Sequence, residues 1–583
     1  MLNQYMNKTP NYNAKVKAIL DATQPGERTC ALTGRKWDMS VEEIERYKHF
    51  NVPPSKYHPL TRMHILAGFF VGYQWWNNKS SEDGTPFLTP AHPGSGIKVV
   101  PDKQWFDHDY SSTSRDDDGR GVFEIMEELV HEIPITGQRN LVPPVNSIST
   151  ISAGDENSYF MNASRAKNTL FGMNALNVEN SAEIYQSFGV NNSYNVVHSD
   201  RIFNCRWVQE SRDCMNSMFL FDCRNCEDCF MATNKRNAKF VFKNKQLSES
   251  EYRVQMERTA LTCRSSFEPL RDEFLQMVER DAIWPENFNE KADGCTGEYL
   301  TDCTDCKECY FHHNCRNQFQ SSFSFDESEG NMSCTGWFGA TNSYYSTTGS
   351  RSSNVKYCYT QIQCQNMEYS YHCYNCEDCF GCVGLNRKRF HIFNKEYSEE
   401  GYWRVVDELK CRILDDGTYG EFMPVSWSPT RFMDSGATLF FLAEEKDAVS
   451  LASSMYSAES SGACGEDRVS ADQLRKTEDI PDCLDNPAFD EWIGKPVFDE
   501  GVERRFTFLP QEIKFYRAMK IAPPNQHFIA RVRNLGYRAN SGAFTEGSCD
   551  KCGKNLLIAK NKIFPNRRVY CRKDYLDFIE HTA

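Results

Sequence analysis

The hexapeptide NCEDCF stands at residues 225–230 and again at 375–380. Each copy lies in a cysteine run: Cys223, Cys226 and Cys229 in the first, and Cys373, Cys376, Cys379 and Cys382 in the second. A third run, Cys303, Cys306 and Cys309, has the same spacing. Cysteine at every third position admits a metal cluster, a redox centre or a stacked structural repeat.

The flanking sequence favours the repeat. The stretch 221–254 aligns with 371–405 well beyond the cysteines, matching Phe240 with Phe390, Asn244-Lys245 with Asn394-Lys395, and Tyr252 with Tyr402. A shorter rhythm runs inside each copy. Asn157, Asn168, Asn180, Asn192, Asn204, Asn216 and Asp228 follow one another at eleven and then twelve residues, and Asn342, Asn354, Asn366 and Asp378 keep the same beat. The next residue is small each time: Ser158, Thr169, Ser181, Ser193, Cys205, Ser217, Cys229. A fixed period filled with short β-compatible runs predicts chain circuits stacked at about 4.7–4.9 Å, with ladders of identical side chains. Cysteine, small and weakly polar, suits a tight inward corner. The expected fold is therefore mainly β. It consists of two β-solenoid-like segments of about twelve-residue coils with helical caps, flanked by small zinc-ribbon-like α+β modules. The C-x2-C pairs leave metal binding open as an alternative for the ten run cysteines. The ferredoxin run is absent, since Cys229 is followed by Phe-Met-Ala-Thr.

The implied segments are a degenerate zinc-ribbon-like module (1–145), a first Cys/Asn-rich repeat (150–248) and a helical connector (249–292) expected to break near Pro269. A second repeat (293–397), a helical cap with an extended segment (398–440), an acidic linker (441–502) and a basic module (503–583) follow. The net charge is −14, but residues 503–580 carry 16 Lys/Arg against 7 Asp/Glu. The N-terminus lacks the apolar core of a signal peptide, and no stretch is long and apolar enough to span a bilayer. The expected setting is the cytoplasm, or an assembly built there, with the 25 cysteines reduced.

Near the C-terminus, Cys549-Asp-Lys-Cys552-Gly553 is followed by Cys571-Arg-Lys-Asp574. Two such knuckles predict one tetrahedral zinc on Cys549, Cys552, Cys571 and Asp574, with His527 as the alternative fourth ligand. The N-terminal half carries an eroded version. Residues 44–62 resemble 513–531 at an offset of 469, pairing His58 with His527 and Arg62 with Arg531, and residues 98–105 resemble 568–575 with the ligand positions lost. No zinc is expected there. Taken together, the Cys30-Ala-Leu-Thr-Gly34 knuckle, NCEDCFGCVGL (375–385), GKPVFDEGVERRFTFLPQEIKFY (494–516) and the final C-x2-C-G resemble one family. It comprises uncharacterised Cys-rich repeat proteins flanked by zinc-ribbon-like modules, from small-genome uncultivated bacteria. Relatives more often carry metal-ligand cysteines at the positions of Ser80, Pro101, Gln104 and Asp574. The resemblance implies an architecture and no activity.

Three function classes follow. A non-catalytic scaffold for protein partners or self-assembly, in a large particle or virion, fits the repeat. A nucleic-acid- or ribosome-associated protein would bind through Arg504, Arg505, Arg531, Arg533, Arg567 and Arg568. A glycan-active enzyme would need groove carboxylates, for which Asp222, Asp228, Asp302, Asp305 and Asp378 are the candidates. No catalytic residue is assigned. The acidic stretch 107–119 lacks the glycine and terminal glutamate of a calcium loop.

Overall fold

In the computed structural model, which describes residues 8–70, 72–455 and 474–582, every third residue from Asn168 to Lys243 has a φ between +42° and +63°. Each such residue turns a corner. Four three-residue sides close a twelve-residue circuit, and the next circuit pairs with it in parallel: Ala182 with Tyr194, Tyr194 with Arg206, Arg206 with Met218, Met218 with Phe230. The left-handed conformation costs a non-glycine residue on the order of 1–2 kcal/mol, least for Asn and Asp. This is why the beat falls on Asn. Their side chains also form a ladder: the Asn192 amide donates to Asn204 (3.1 Å) and that of Asn204 to Asn216 (2.8 Å).

The residue after each corner points inward. Ser193, Val196 and Ile202 line one circuit; Cys205, Val208 and Cys214 the next; Leu220, Cys223 and Cys226 the third. All are buried. The C-x2-C spacing is thus one side of a circuit. Inward hydroxyls also meet the hydrogen-bonding needs of the corner backbone. Ser211 donates to the Gln209 carbonyl (2.9 Å) and accepts from the Cys223 N–H of the following circuit (3.0 Å). Ser193 and Ser217 do the same toward Cys205 and Cys229. Cysteine replaces serine in this part: Cys364 donates to the Ile362 carbonyl and accepts from the Cys376 N–H, both at 3.4 Å.

The second stack follows the same rule through residues 299–393. Its phase slips once, where Asp326 and Glu327 both have positive φ and Ser322 pairs with Thr335 at an offset of thirteen. Serine-capped helices follow both stacks. Glu249–Glu257 sets Tyr252 against Phe240, and Glu399–Asp415 sets Tyr402 against Phe390.

The chain divides into two compact units, and each joins one stack to knuckle-and-helix segments distant in sequence. One comprises Met1–Gly72, Asn78–Gly137 and Asn289–Tyr456; the other Tyr73–Asn77, Gln138–Phe288 and Ser457–Ala583. The units repeat one plan. In the first, the helix Val41–Phe50 and the helix Pro59–Phe69, capped by His58, bring Glu43 (2.9 Å) and the Tyr47 hydroxyl (3.0 Å) to a buried Arg62, which also meets Gln320 (2.7 Å). In the second, the helices Pro510–Met519 and Phe528–Arg538 bring Glu512 (3.1 Å) and Tyr516 (2.6 Å) to Arg531, whose further partner is Glu183. A buried ion pair needs such added hydrogen bonds to offset its desolvation.

The molecule is mixed α/β: many strands lie in parallel sheets, as the mainly β expectation has it, and helices cover the stacks and make up much of the flanking modules. The connector breaks at 258–263, and Pro269 lies inside the helix Arg264–Arg280. Of the expected acidic linker, 456–473 lies outside the described residues. The part after it is core instead: Ile480, Leu484, Phe489 and Val497 are buried among strands and 3-10 turns. Cys263 and Cys483 form a disulfide, contrary to the all-reduced expectation. The 107–119 loop is tied to the second stack and its helix by Lys388–Asp109 (2.7 Å), Lys395–Asp116 and Arg412–Asp117 (2.7 Å). No helix among the described residues is long and apolar enough to cross a membrane.

Replacing Ser211 by Ala strips the Cys223 N–H of its acceptor, and should destabilise the unit by about 1–3 kcal/mol. Ser211→Cys should cost clearly less. Equal urea midpoints for the two variants would show that the inward hydroxyl does not support the backbone.

Candidate metal centre

Cys549, Cys552, Cys571 and Asp574 place one ligand atom each within 4.8 Å of all the others. The hairpin of Asn540–Ser548 and Asn555–Asn561 ends in a knuckle, in which the Cys549 N–H donates to the Lys554 carbonyl (2.8 Å) and the Gly553 N–H to that of Cys549 (2.9 Å). Gly553 has φ +75°, a conformation that suits glycine at this tight turn. The other two groups come from the start of the helix Arg572–Thr582. Asp550 ties the halves together by accepting from the Val569 N–H (2.6 Å).

Cys552 and Cys571 Sγ are 3.8 Å apart, and Asp574 Oδ2 lies 3.2 Å from the sulfurs of both Cys549 and Cys571. A tetrahedral ion with Zn–S of about 2.3 Å and Zn–O of about 2.0 Å needs edges of about 3.8 and 3.5 Å. The four residues therefore fit a metal ion. The surrounding thiols hold Asp574 down to about 2, Cys552 first among them, and the Asp574 carboxylate pushes Cys552 up to about 12. Burial raises Cys549, but the backbone N–H groups of Cys571, Cys552 and Lys551 outweigh it and lower its pKa, favouring the thiolate a metal requires.

The next residue anchors the centre to the first stack. The Tyr575 hydroxyl meets Asp222 and accepts from Arg236 (2.7 Å), which pairs with Asp222 (3.1 Å). In the other unit, Trp105 occupies the corresponding place and packs on Tyr374 (4.9 Å). There the knuckle geometry survives without thiols. The Ser80 N–H donates to the Thr85 carbonyl and the Gly84 N–H to that of Ser80, both at 2.9 Å, while Ser80 Oγ donates to Gln104 (2.9 Å). Hydrogen bonds span the positions that the candidate ligands occupy in the C-terminal module. A further knuckle at Cys30–Arg35 brings Thr33 and Thr61 hydroxyls to 3.3 Å.

His527 is not among the grouped ligands. It caps the helix Phe528–Arg538, its Nδ1 accepting from the Ile529 N–H (3.0 Å) and its own N–H donating to Asp499 (2.7 Å). Cys223, Cys226, Cys229, Cys303, Cys306, Cys309, Cys373, Cys376, Cys379 and Cys382 are all buried inward positions. Neighbouring thiols do meet, as Cys214, Cys223 and Cys229 do around Cys226. Among the described residues, however, none of the ten belongs to a metal-sized group. Burial pushes Cys205 and Cys334 up to about 12, which keeps them as thiols.

The arginines proposed for phosphate are largely committed elsewhere. Arg504 is buried over the Trp76 ring (3.9 Å) and donates to Gln74 and the Trp75 carbonyl; Arg531 is in the Glu512 network; Arg567 donates to the Phe564 and Ala559 carbonyls. Arg505 and Arg533 are half-buried and Arg568 is exposed. The carboxylates Asp222, Asp228, Asp302, Asp305 and Asp378 all occupy corners. Asp222 and Asp378 are buried against arginines, and Asp302 pairs with Lys291 (3.1 Å). No protein-family model matches the chain, and no curated protein is significantly similar to it.

His527→Asn, which preserves a capping side chain, should leave metal stoichiometry unchanged, whereas Cys571→Ala should abolish it. Elemental analysis of the two purified variants decides the fourth ligand, and loss of metal from His527→Asn alone would restore histidine to that place.

Proposed function

We propose that this chain is a non-catalytic, zinc-holding scaffold whose two stacks are β-solenoids presenting surfaces for protein assembly. The observation that carries the reading is how the stacks use their chemistry-bearing residues. Inward serines and cysteines serve the backbone, and corner carboxylates such as Asp222 pair with cations. Two groups among the described residues have metal-ligand spacing; in the second, Cys263, Asp482 and Cys483, the two sulfurs are joined in a disulfide, which leaves the Cys549–Asp574 group with free thiols. Three sulfurs and one oxygen suit a closed structural zinc. That ion would fasten the C-terminal helix, and through Tyr575 the module, to the first stack. An outward ladder in which Phe203 (51% exposed) lies beside Met215 (41% exposed) is the kind of apolar strip a partner covers.

Metal and thiol analysis of natively purified protein tests this reading. One zinc per chain is expected. Of the 25 cysteines, two lie in the disulfide and three in the centre, which leaves 20 thiols titrating in denaturant with the metal retained. Cys226→Ser and Cys376→Ser should keep the zinc. Iron, or three or more metals per chain, would make the cysteine runs ligand sites and overturn the scaffold.

A further inference from the structure

The unit containing the metal centre also holds a cavity of about 370 Å³. Its walls come from the first stack (Glu183, Asn195, Trp207), the helix Arg264–Arg280, the 521–526 turn and the helix Phe528–Arg538. The volume falls in the range of small-molecule sites, and most of the lining is apolar, with Phe267, Leu275, Leu535 and Pro523 contributing.

Arg538 lines this space and is 5% exposed. It forms no salt bridge, and Glu183 reaches it through space and through Asn195. Nη2 donates to Asn195, the guanidinium lies 4.6 Å from the centre of the Trp207 ring, and Nη1 makes no hydrogen bond. A buried guanidinium donor left unmatched is costly, and an acceptor brought in by a ligand would relieve the cost. Burial lowers Arg538 only to about 10, so it stays charged at neutral pH.

The internal duplication supplies a control. At the offset of 469 residues, Arg538 corresponds to Phe69, Asn534 to Ile65 and Gln526 to Tyr57. In the other unit those three are buried, and Phe69 packs on Tyr359 (5.2 Å) and Phe422 (5.4 Å). The fold therefore runs well with apolar side chains there. The second unit carries polar residues at all three positions, and all three line the cavity. Shared positions such as Arg62 and Arg531 keep their buried networks in both units.

We infer that this cavity binds a small organic monoanion, a carboxylate carried on an apolar body, with Arg538 receiving the carboxylate and Trp207, Phe267 and Leu535 the body. The lining charges set the valence. Arg264, Arg271, Arg531 and Arg538 face Glu183, Glu268 and Asp272, which leaves one positive charge. A phosphate dianion would meet three carboxylates with one unmatched guanidinium, and a carboxylate matches the count.

The test is calorimetric titration of the full chain with benzoate, phenylacetate, 4-phenylbutyrate and octanoate, using 4-phenylbutyramide and inorganic phosphate as controls. At least one carboxylate should bind saturably at one per chain in the millimolar range or tighter, with the amide and phosphate weaker by about tenfold or more. Arg538→Phe, which installs the side chain used by the other unit, should lose that binding by the same factor without lowering the melting temperature. Arg538→Lys should retain binding within a few-fold, and Arg538→Gln serves if the Phe variant does not fold. Four carboxylates that all fail to saturate, an amide or phosphate that binds as well, or unchanged binding by the charge-free variants would each overturn the assignment.

Discussion

A left-handed corner at every third residue is the constraint on which both stacks depend. It removes backbone groups from the usual ladder at each turn and leaves an interior too narrow for large side chains on every side. Serine and cysteine answer both demands, being small and able to donate to one circuit while accepting from the next. The cysteine abundance that first suggests metal or redox chemistry also meets these demands of the backbone geometry. The helices and knuckles that complete each unit depend on those stacks: Tyr575 and Trp105 dock on residues that the corners hold in place.

The twelve-residue period was legible because asparagine is among the few non-glycine residues that accept the left-handed corner cheaply, and because its ladder repeats the same letter. The three-residue side was harder to see. Phe219, Met231 and Trp207 also occupy corners, and nothing in their chemistry announces a positive φ. Tertiary packing there overrides local preference. The segment 474–502 is hard to read for another reason: its acidic residues surround Leu484, Phe489, Trp492 and Val497, whose spacing has no helical or strand period because they enter the core from short 3-10 turns and a three-residue strand. Nor could the sequence show that the N-terminal modules belong with the second stack and the C-terminal ones with the first.

The metal group was legible from C-x2-C-G and the second cysteine, since ligand spacing in a knuckle is fixed by its hairpin. The choice between Asp574 and His527 was not. Both are plausible donors, and only the bond from the Ile529 N–H to the His527 ring shows that this histidine already has work at a helix terminus. The cavity lay beyond sequence reading altogether. Its lining is gathered from stretches near 183–207, 264–275 and 521–563, and an arginine without a salt bridge looks, in one dimension, like any other basic residue in a basic module.

The interlocked circuits also govern how such a chain can change length. Removing one residue from a circuit turns inward side chains outward, and removing three deletes a side and leaves the square open. Only whole circuits can be gained or lost without penalty, so ancestry in these stacks should be counted in units of twelve. Eleven-residue steps stand at the start of both stacks, where Leu170 pairs with Tyr159 and Thr301 with Glu290, and one thirteen-residue circuit interrupts the second. Asp326 and Glu327 take consecutive left-handed corners, and the added residue is absorbed at the exposed corner while Cys334 resumes the inward phase, its N–H donating to Ser321 (3.2 Å). An insertion has been tolerated at the rim of the stack because the interior never registered it.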